Sequence, residues 1–235
     1  MKRPLLFSSV LCLVIGLLCG LLLPAPWDQD KKPVTPPAIT APNNTPSAPS
    51  DPGAPTPPKK PLPPLNPEDN YALLNTAYLV AGALEARDYT ALSSMVHPEK
   101  GVSFTPFSTV DPETDVNLTA SAVKSLDTDD NIYTWGFEDG RGNLIELTAA
   151  DYFVQYVYNA DYISAPQIGV DQVLISGNAL ENVKEAYPGC RFVDFCIPSQ
   201  DPDMEGMDWT SLKLVFEPGE TRWFLVGVIH GQWTI

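Results

Sequence analysis

Histidine is nearly absent from this sequence. There are two in 235 residues, His97 and His230, with four cysteines. Two isolated imidazoles and two Cys within one short stretch give no tetrahedral zinc spacing. No Gly-rich phosphate loop, no G-x-S-x-G nucleophile elbow and no internal repeat is present. Positive charge is also scarce beyond the N-terminus. Residues 1–66 carry 6 Lys/Arg against 3 Asp/Glu, whereas residues 67–235 carry 8 against 26, a balance of −18. That field repels nucleic acid and anionic lipid, so neither is expected to dock on this part.

What is present falls into three zones. Lys2 and Arg3 precede a run of mostly apolar residues from Leu5 to Leu23. A positive start followed by an apolar core reads as a targeting signal, and the run is long enough to span a bilayer as a helix. The positive-inside rule places Lys2 and Arg3 in the cytoplasm and all that follows on the other side. Residues 1–23 are therefore expected to be a signal or anchor. Leu17-Leu18-Cys19-Gly20 resembles a bacterial lipoprotein signal, which would lipidate Cys19. An uncleaved anchor gives the same topology, and a cleaved signal would release the chain.

Residues 24–66 form the second zone; positions 24–67 hold 16 of the 25 prolines. Proline fixes φ and removes a backbone donor, so this stretch cannot build a core and favours extended polyproline II. Fully extended it would reach on the order of 130 Å. It reads as a disordered stalk or spacer carrying a domain through a cell wall, with a plain linker as the alternative.

Residues 67–235 have globular composition and suit one domain. Asn66, Pro67, Glu68 and Asp69 signal the start of a helix, and Leu73, Leu74, Ala77, Tyr78, Ala81 and Leu84 follow at helical spacing. Asp88 caps a second helix that stops at His97-Pro98. Strands are expected over Ser103–Phe107 and Asn131–Glu138, the latter with Tyr133, Trp135 and Phe137 on one face. Thr119–Leu126 suits a helical turn or two, and Asp139-Gly140-Arg141-Gly142-Asn143 a turn. Thr148 with Asp151 makes a capping box for a third helix. Four strands follow: Ile168–Ser176, Cys190–Ile197, Ser211–Glu217 and Arg222–Trp233. The last is apolar on both faces, with Trp223, Leu225 and Ile229 one way and Phe224, Val226 and Val228 the other. It is expected in the middle of the sheet. A strand of six residues spans about 20 Å, while a disulfide needs Cα atoms within about 7 Å. Cys190 and Cys196 therefore read as two thiols on one strand face, unless the chain turns between them.

The predicted fold class is α+β, an antiparallel curved sheet of five to six strands on about three helices. This element order resembles the cone-shaped superfamily of nuclear transport factor two and ketosteroid isomerase. That resemblance implies a pocket between sheet and helices. A second resemblance lies in His97-Pro98-Glu99-Lys100-Gly101, Tyr133-Thr134-Trp135-Gly136, Gly206-Met207-Asp208-Trp209 and Val226 to Ile235. These stretches look like an uncharacterised family of exported and lipid-anchored Firmicutes proteins, which implies an exported bacterial protein and no particular chemistry.

Three site readings follow. Asp194, on the face of Phe192 and Cys196, is a candidate acid or base, with His97 or His230 as partner in a small lyase, isomerase or hydrolase. Asp201, Asp203, Glu205 and Asp208 resemble the start of a calcium loop, although Leu212 stands where the bidentate Glu belongs. Convergence of those carboxylates would make an acidic adhesion module. Tyr133, Trp135 and Trp209 are candidate ligand-pocket aromatics, and an exposed patch including Trp209 or Trp233 would mark a plain binding domain. The favoured reading is a membrane-anchored, extracytoplasmic, non-catalytic binding or accessory domain that needs no cofactor. Its partner would be a cell-wall component or a protein.

Overall fold

The computed structural model describes residues 63–234; the apolar run, Cys19 and most of the Pro-rich zone lie outside them. Helix α1 (Asn70–Glu85) is capped by Asp69, whose carboxylate accepts from the Tyr71 and Ala72 N–H groups. Asn66, the cap expected from sequence, instead closes a turn by accepting from the Glu68 N–H. Asp88 caps α2 (Tyr89–Met95) through the Ala91 N–H. Strands β1 (Val102–Thr105) and β2 (Val116–Leu118) precede the short α3 (Ala120–Lys124). A hairpin of β3 (Ile132–Phe137) and β4 (Leu144–Thr148) follows. Thr148 Oγ1 accepts from the Asp151 N–H and donates to the Asp151 carboxylate, starting α4 (Ala149–Tyr152), which runs on into a π-helical turn, Phe153–Val157. Then come β5 (Gln167–Val170), α5 (Val183–Ala186), β6 (Arg191–Ile197), β7 (Thr210–Pro218) and β8 (Trp223–Gln232).

The architecture is α+β, with a curved six-stranded sheet in the order β2-β1-β8-β7-β6-β5. Strand β8 is central, as its two apolar faces predict. One pairing departs from the expected antiparallel sheet: β1 runs parallel to β8. Such a pairing joins residues more than a hundred positions apart and leaves no local signature. The strand expected to run to Ser176 ends at Val170, because Asp171 takes a left-handed conformation (φ 53°) and turns the chain away.

Both faces of the sheet are covered. On one, α1, α2 and α4 pack Leu73, Val80, Leu84 and Phe153 against Phe195, Leu212, Leu214 and Leu225. On the other, the segments 106–115 and 171–190 bring Val110 and Val183 onto Phe192, Val215, Val226 and Ile229. Strand β8 changes faces part-way. A bulge at Val226-Gly227, where Val226 is the extra residue, breaks the register between Val215 and Phe216 on β7, so Leu225 and Val228 share the helical face while Val226 and Ile229 share the other. One extra residue inverts every side chain beyond it. That is why strict alternation placed Val228 and Ile229 the wrong way round.

Candidate functional site

The bulge separates two of the sequence candidates. His230 pairs across to Leu212 on the helical face, where its ring meets Tyr156 edge-on at 5.9 Å. Asp194 pairs with Lys213 on the opposite face. The two therefore lie on opposite sides of the sheet. His230 is fully buried, and its Nε2 donates to Gln232 Oε1 at 3.2 Å when Nδ1 is the unprotonated nitrogen. Burial holds its pKa down at about 4. His97 sits elsewhere, at the end of α2. Its Nδ1 accepts from the Glu99 and Lys100 N–H groups, and its ring leans on Phe224.

Asp194 belongs to a closed polar cluster. Its Oδ2 accepts from the Leu174 N–H at 2.9 Å. Lys213 Nζ, with no exposure, donates to Glu181 Oε1 at 3.1 Å and lies 3.5 Å from Ser211 Oγ. Burial raises the Asp194 pKa, while the Lys213 charge and the Leu174 N–H act against the rise. The cluster fastens the 171–182 segment to the sheet. Cys196 lies beside it, and Cys190 and Cys196 are both free thiols.

The Asp201–Asp208 carboxylates serve the local backbone. Asp208 Oδ2 accepts from the Gln200 and Asp201 N–H groups, and Asp201 Oδ1 from the Asp203 N–H, while Glu205 closes the turn in a left-handed conformation. Among the described residues no three His, Cys, Asp or Glu side chains are placed to hold a metal ion.

Of the pocket aromatics, Trp135 is core. It stacks on Tyr152 at 3.8 Å and donates from Nε1 to the Leu147 carbonyl. Tyr133 donates its hydroxyl to Asp129, and Trp209 is buried. The space a cone-shaped domain would leave between sheet and helices is filled by Phe104, Trp135, Tyr152 and Phe153, whose rings touch one another.

Cavities of about 280 and 260 Å³ flank Tyr187 and Cys190, and two adjoining ones lie at the far end of β8. A cavity of about 450 Å³ is bordered by Phe107, Asp111, Asp115, Phe137, Glu138 and Asp139. A second of about 340 Å³ shares Phe107, Glu138 and Asp139 and adds Arg141, Tyr156, Gln232, Trp233 and Thr234. Together they form one groove. Its walls are the 106–115 segment, the β3–β4 turn and the end of β8. Phe137 reaches it because Gly136 adopts φ 135°, a conformation other residues rarely take, and breaks the β3 alternation. Phe137 is 52% exposed and Trp233 38%. The π-helical turn carries Tyr156, which packs against Phe107 and Tyr152 at the groove wall. Asp115 accepts from Thr105 Oγ1 at 2.6 Å and from the Asp111 N–H; burial raises its pKa to about 6. Thr234, 4% exposed, has a hydroxyl without a hydrogen-bond partner.

The opposite end of the sheet is where the polypeptide joins the domain. The Leu65 N–H donates to the Glu220 carbonyl in the β7–β8 turn. Arg191 donates to the Pro67 carbonyl, to Asn70 Oδ1 and to Asp171 Oδ2. The ten residues of β8 separate this knot from the groove, a distance of about 30 Å.

No family model matches this chain, and no curated protein matches it. Solved structures do. The CaMKII hub homology domain of Chlamydomonas reinhardtii is 12% identical, over 69% of this chain and 96% of that one, with a TM-score of 0.32. An NTF-2-like protein of unknown function from Shewanella oneidensis is 8% identical, over 69% and 98%, also at 0.32. A putative calcium/calmodulin-dependent kinase II association domain from Xanthomonas campestris is 9% identical, over 69% and 84%, at 0.29. Scores of that size carry no inference about chemistry.

Proposed function

We propose that this chain is a non-catalytic, extracytoplasmic binding or accessory protein, tethered to a membrane through its N-terminus and held off it by the Pro-rich zone. Its contact surface is the groove around Phe107, Phe137, Tyr156 and Trp233. One observation carries this reading: two exposed aromatic rings, Phe137 and Trp233, border adjoining cavities, about 30 Å from where the polypeptide joins. Exposed apolar surface in a concave site is costly to keep unless something covers it. The resemblance to exported Firmicutes proteins has no matching family model behind it and lends this reading no support.

Catalysis by Asp194 with His230 is disfavoured by their separation across the sheet and their burial. A membrane-fractionation and surface-proteolysis experiment on the full chain tests the tether: the domain is expected in the membrane fraction and cleavable from outside. Sedimentation with isolated cell envelopes tests the groove. Trp233→Ser with Phe137→Ser should abolish co-sedimentation while leaving the domain folded. Undiminished co-sedimentation would place the contact elsewhere.

A further inference from the structure

The groove's charge is as distinctive as its rings. Asp111, Asp115, Glu138 and Asp139 border it, and Arg141 is the cation among its lining residues. These carboxylates are spread along the walls rather than gathered at a point, and no three are placed to hold a metal ion. Their arrangement therefore suits several positive charges in a row. Two adjoining cavities, of about 450 and 340 Å³, are also too long for a single small cation.

We propose that the groove binds an extended, lysine- or arginine-bearing peptide segment of a partner protein. The proposal rests on the groove being the domain's contact surface. Aromatic rings suit such a guest: the alkyl stems of Lys and Arg lie along apolar surface, and their heads are drawn to ring faces. Carboxylates lining a concavity focus the field and raise the local concentration of cations. A peptide also brings backbone groups, and Thr234 offers a buried hydroxyl with no partner at the wall of the smaller cavity. The burial that raises the Asp115 pKa is a cost to its anion, and a cation in the groove would offset it. A neutral glycan would stack on the rings but would bring no cation to Asp111, Asp115 and Glu138.

The test uses the full chain in zwitterionic detergent, fluorescent hexalysine, and anisotropy at fixed salt. Saturable binding is expected. Asp111→Asn with Glu138→Gln, which keep the local hydrogen-bond acceptors, should weaken it about twenty-fold, at about five-fold or less per charge. Glu99→Gln with Glu185→Gln removes the same charge elsewhere and should change it by less than about two-fold. Thr234→Val should cost about three-fold. Should the groove pair alter folding, Trp233→Ser replaces it and is expected to weaken binding about ten-fold. Equal losses from the groove pair and the remote pair would mean diffuse attraction to an acidic surface and would overturn the proposal. So would no hexalysine binding. If a chitin hexamer binds instead, and loses binding on Trp233→Ser, the groove stands as the contact surface and its guest is a glycan. If envelope binding is also insensitive to Trp233→Ser, the functional reading itself falls.

Discussion

The two ends of the sheet treat their charged groups in opposite ways. Where the polypeptide joins, Arg191 spends its fork on Asp171, Asn70 and Pro67, and Lys100 pairs with Glu217. At the groove, Phe137 and Trp233 face solvent, and carboxylates line a concavity with one Arg. Groups satisfied within the chain hold the fold. Asp111, Asp115 and Glu138 of the groove accept from neutral local donors among the described residues, and their charge is where a partner would be met. The same division separates the buried Lys213–Glu181 pair, which anchors a loop, from the exposed acids of the groove.

That contrast can be broken first at the fastened positions. Lys213→Ala would leave Glu181 and Asp194 without their buried cation, and stability should fall by about 3–5 kcal/mol, read by chemical denaturation. Arg191→Ala should cost less, about 2–3 kcal/mol, because its partners are partly solvated and can rehydrate. If either change is nearly neutral, polar fastening is not what holds these segments.

Acidity sharpens the contrast further. His230 is held at about 4 against its ordinary 6.5, so the fold prefers the neutral ring. Its contribution is fully present above 6.5 and is lost as pH falls toward 4, by about 2–3 kcal/mol. His230→Gln should flatten that decline. Asp115 has the reverse sign. Its value is raised from 3.8 to about 6, so the fold favours the protonated acid, and ionisation takes stability away as pH rises through that window. Because Asp115 is partly exposed, Asp115→Asn should gain only about 1 kcal/mol at pH 7. Denaturation series at pH 4.5 and 7 on both variants check the two signs. A modest effect is expected at the open end, where the rings are only about half covered: Trp233→Ser and Phe137→Ser should each cost about 1 kcal/mol.

Much of the fold is legible locally. Asp88 and Thr148 announce their helices by cap chemistry, and the Pro218-Gly219-Glu220 turn announces the last hairpin. Features set by distant partners are not. The parallel β1–β8 pairing has no local signal, and β2 is three residues long. The Val226-Gly227 bulge reverses the end of β8, which sent His230 to the face opposite Asp194. The site was less legible still. Trp233 reads as a surface aromatic, but so does Trp209, which is buried, and Tyr133 and Trp135 read as pocket residues and serve other ends. Asp111, Asp115, Glu138 and Asp139 come from two separate loops. In sequence, 139–143 was a turn and nothing more. Only the packing of β1 beside β8 brings these loops to one concavity.

The claim that the groove end meets a partner while the tether end does not can be tested in intact cells. A photo-reactive side chain would be placed at position 233, and in a second chain at position 71, which is 80% exposed near the tether end. Irradiation should yield a discrete, saturable adduct from position 233 and none from 71. Adducts from 71 alone, or equal adducts from both, would contradict the account.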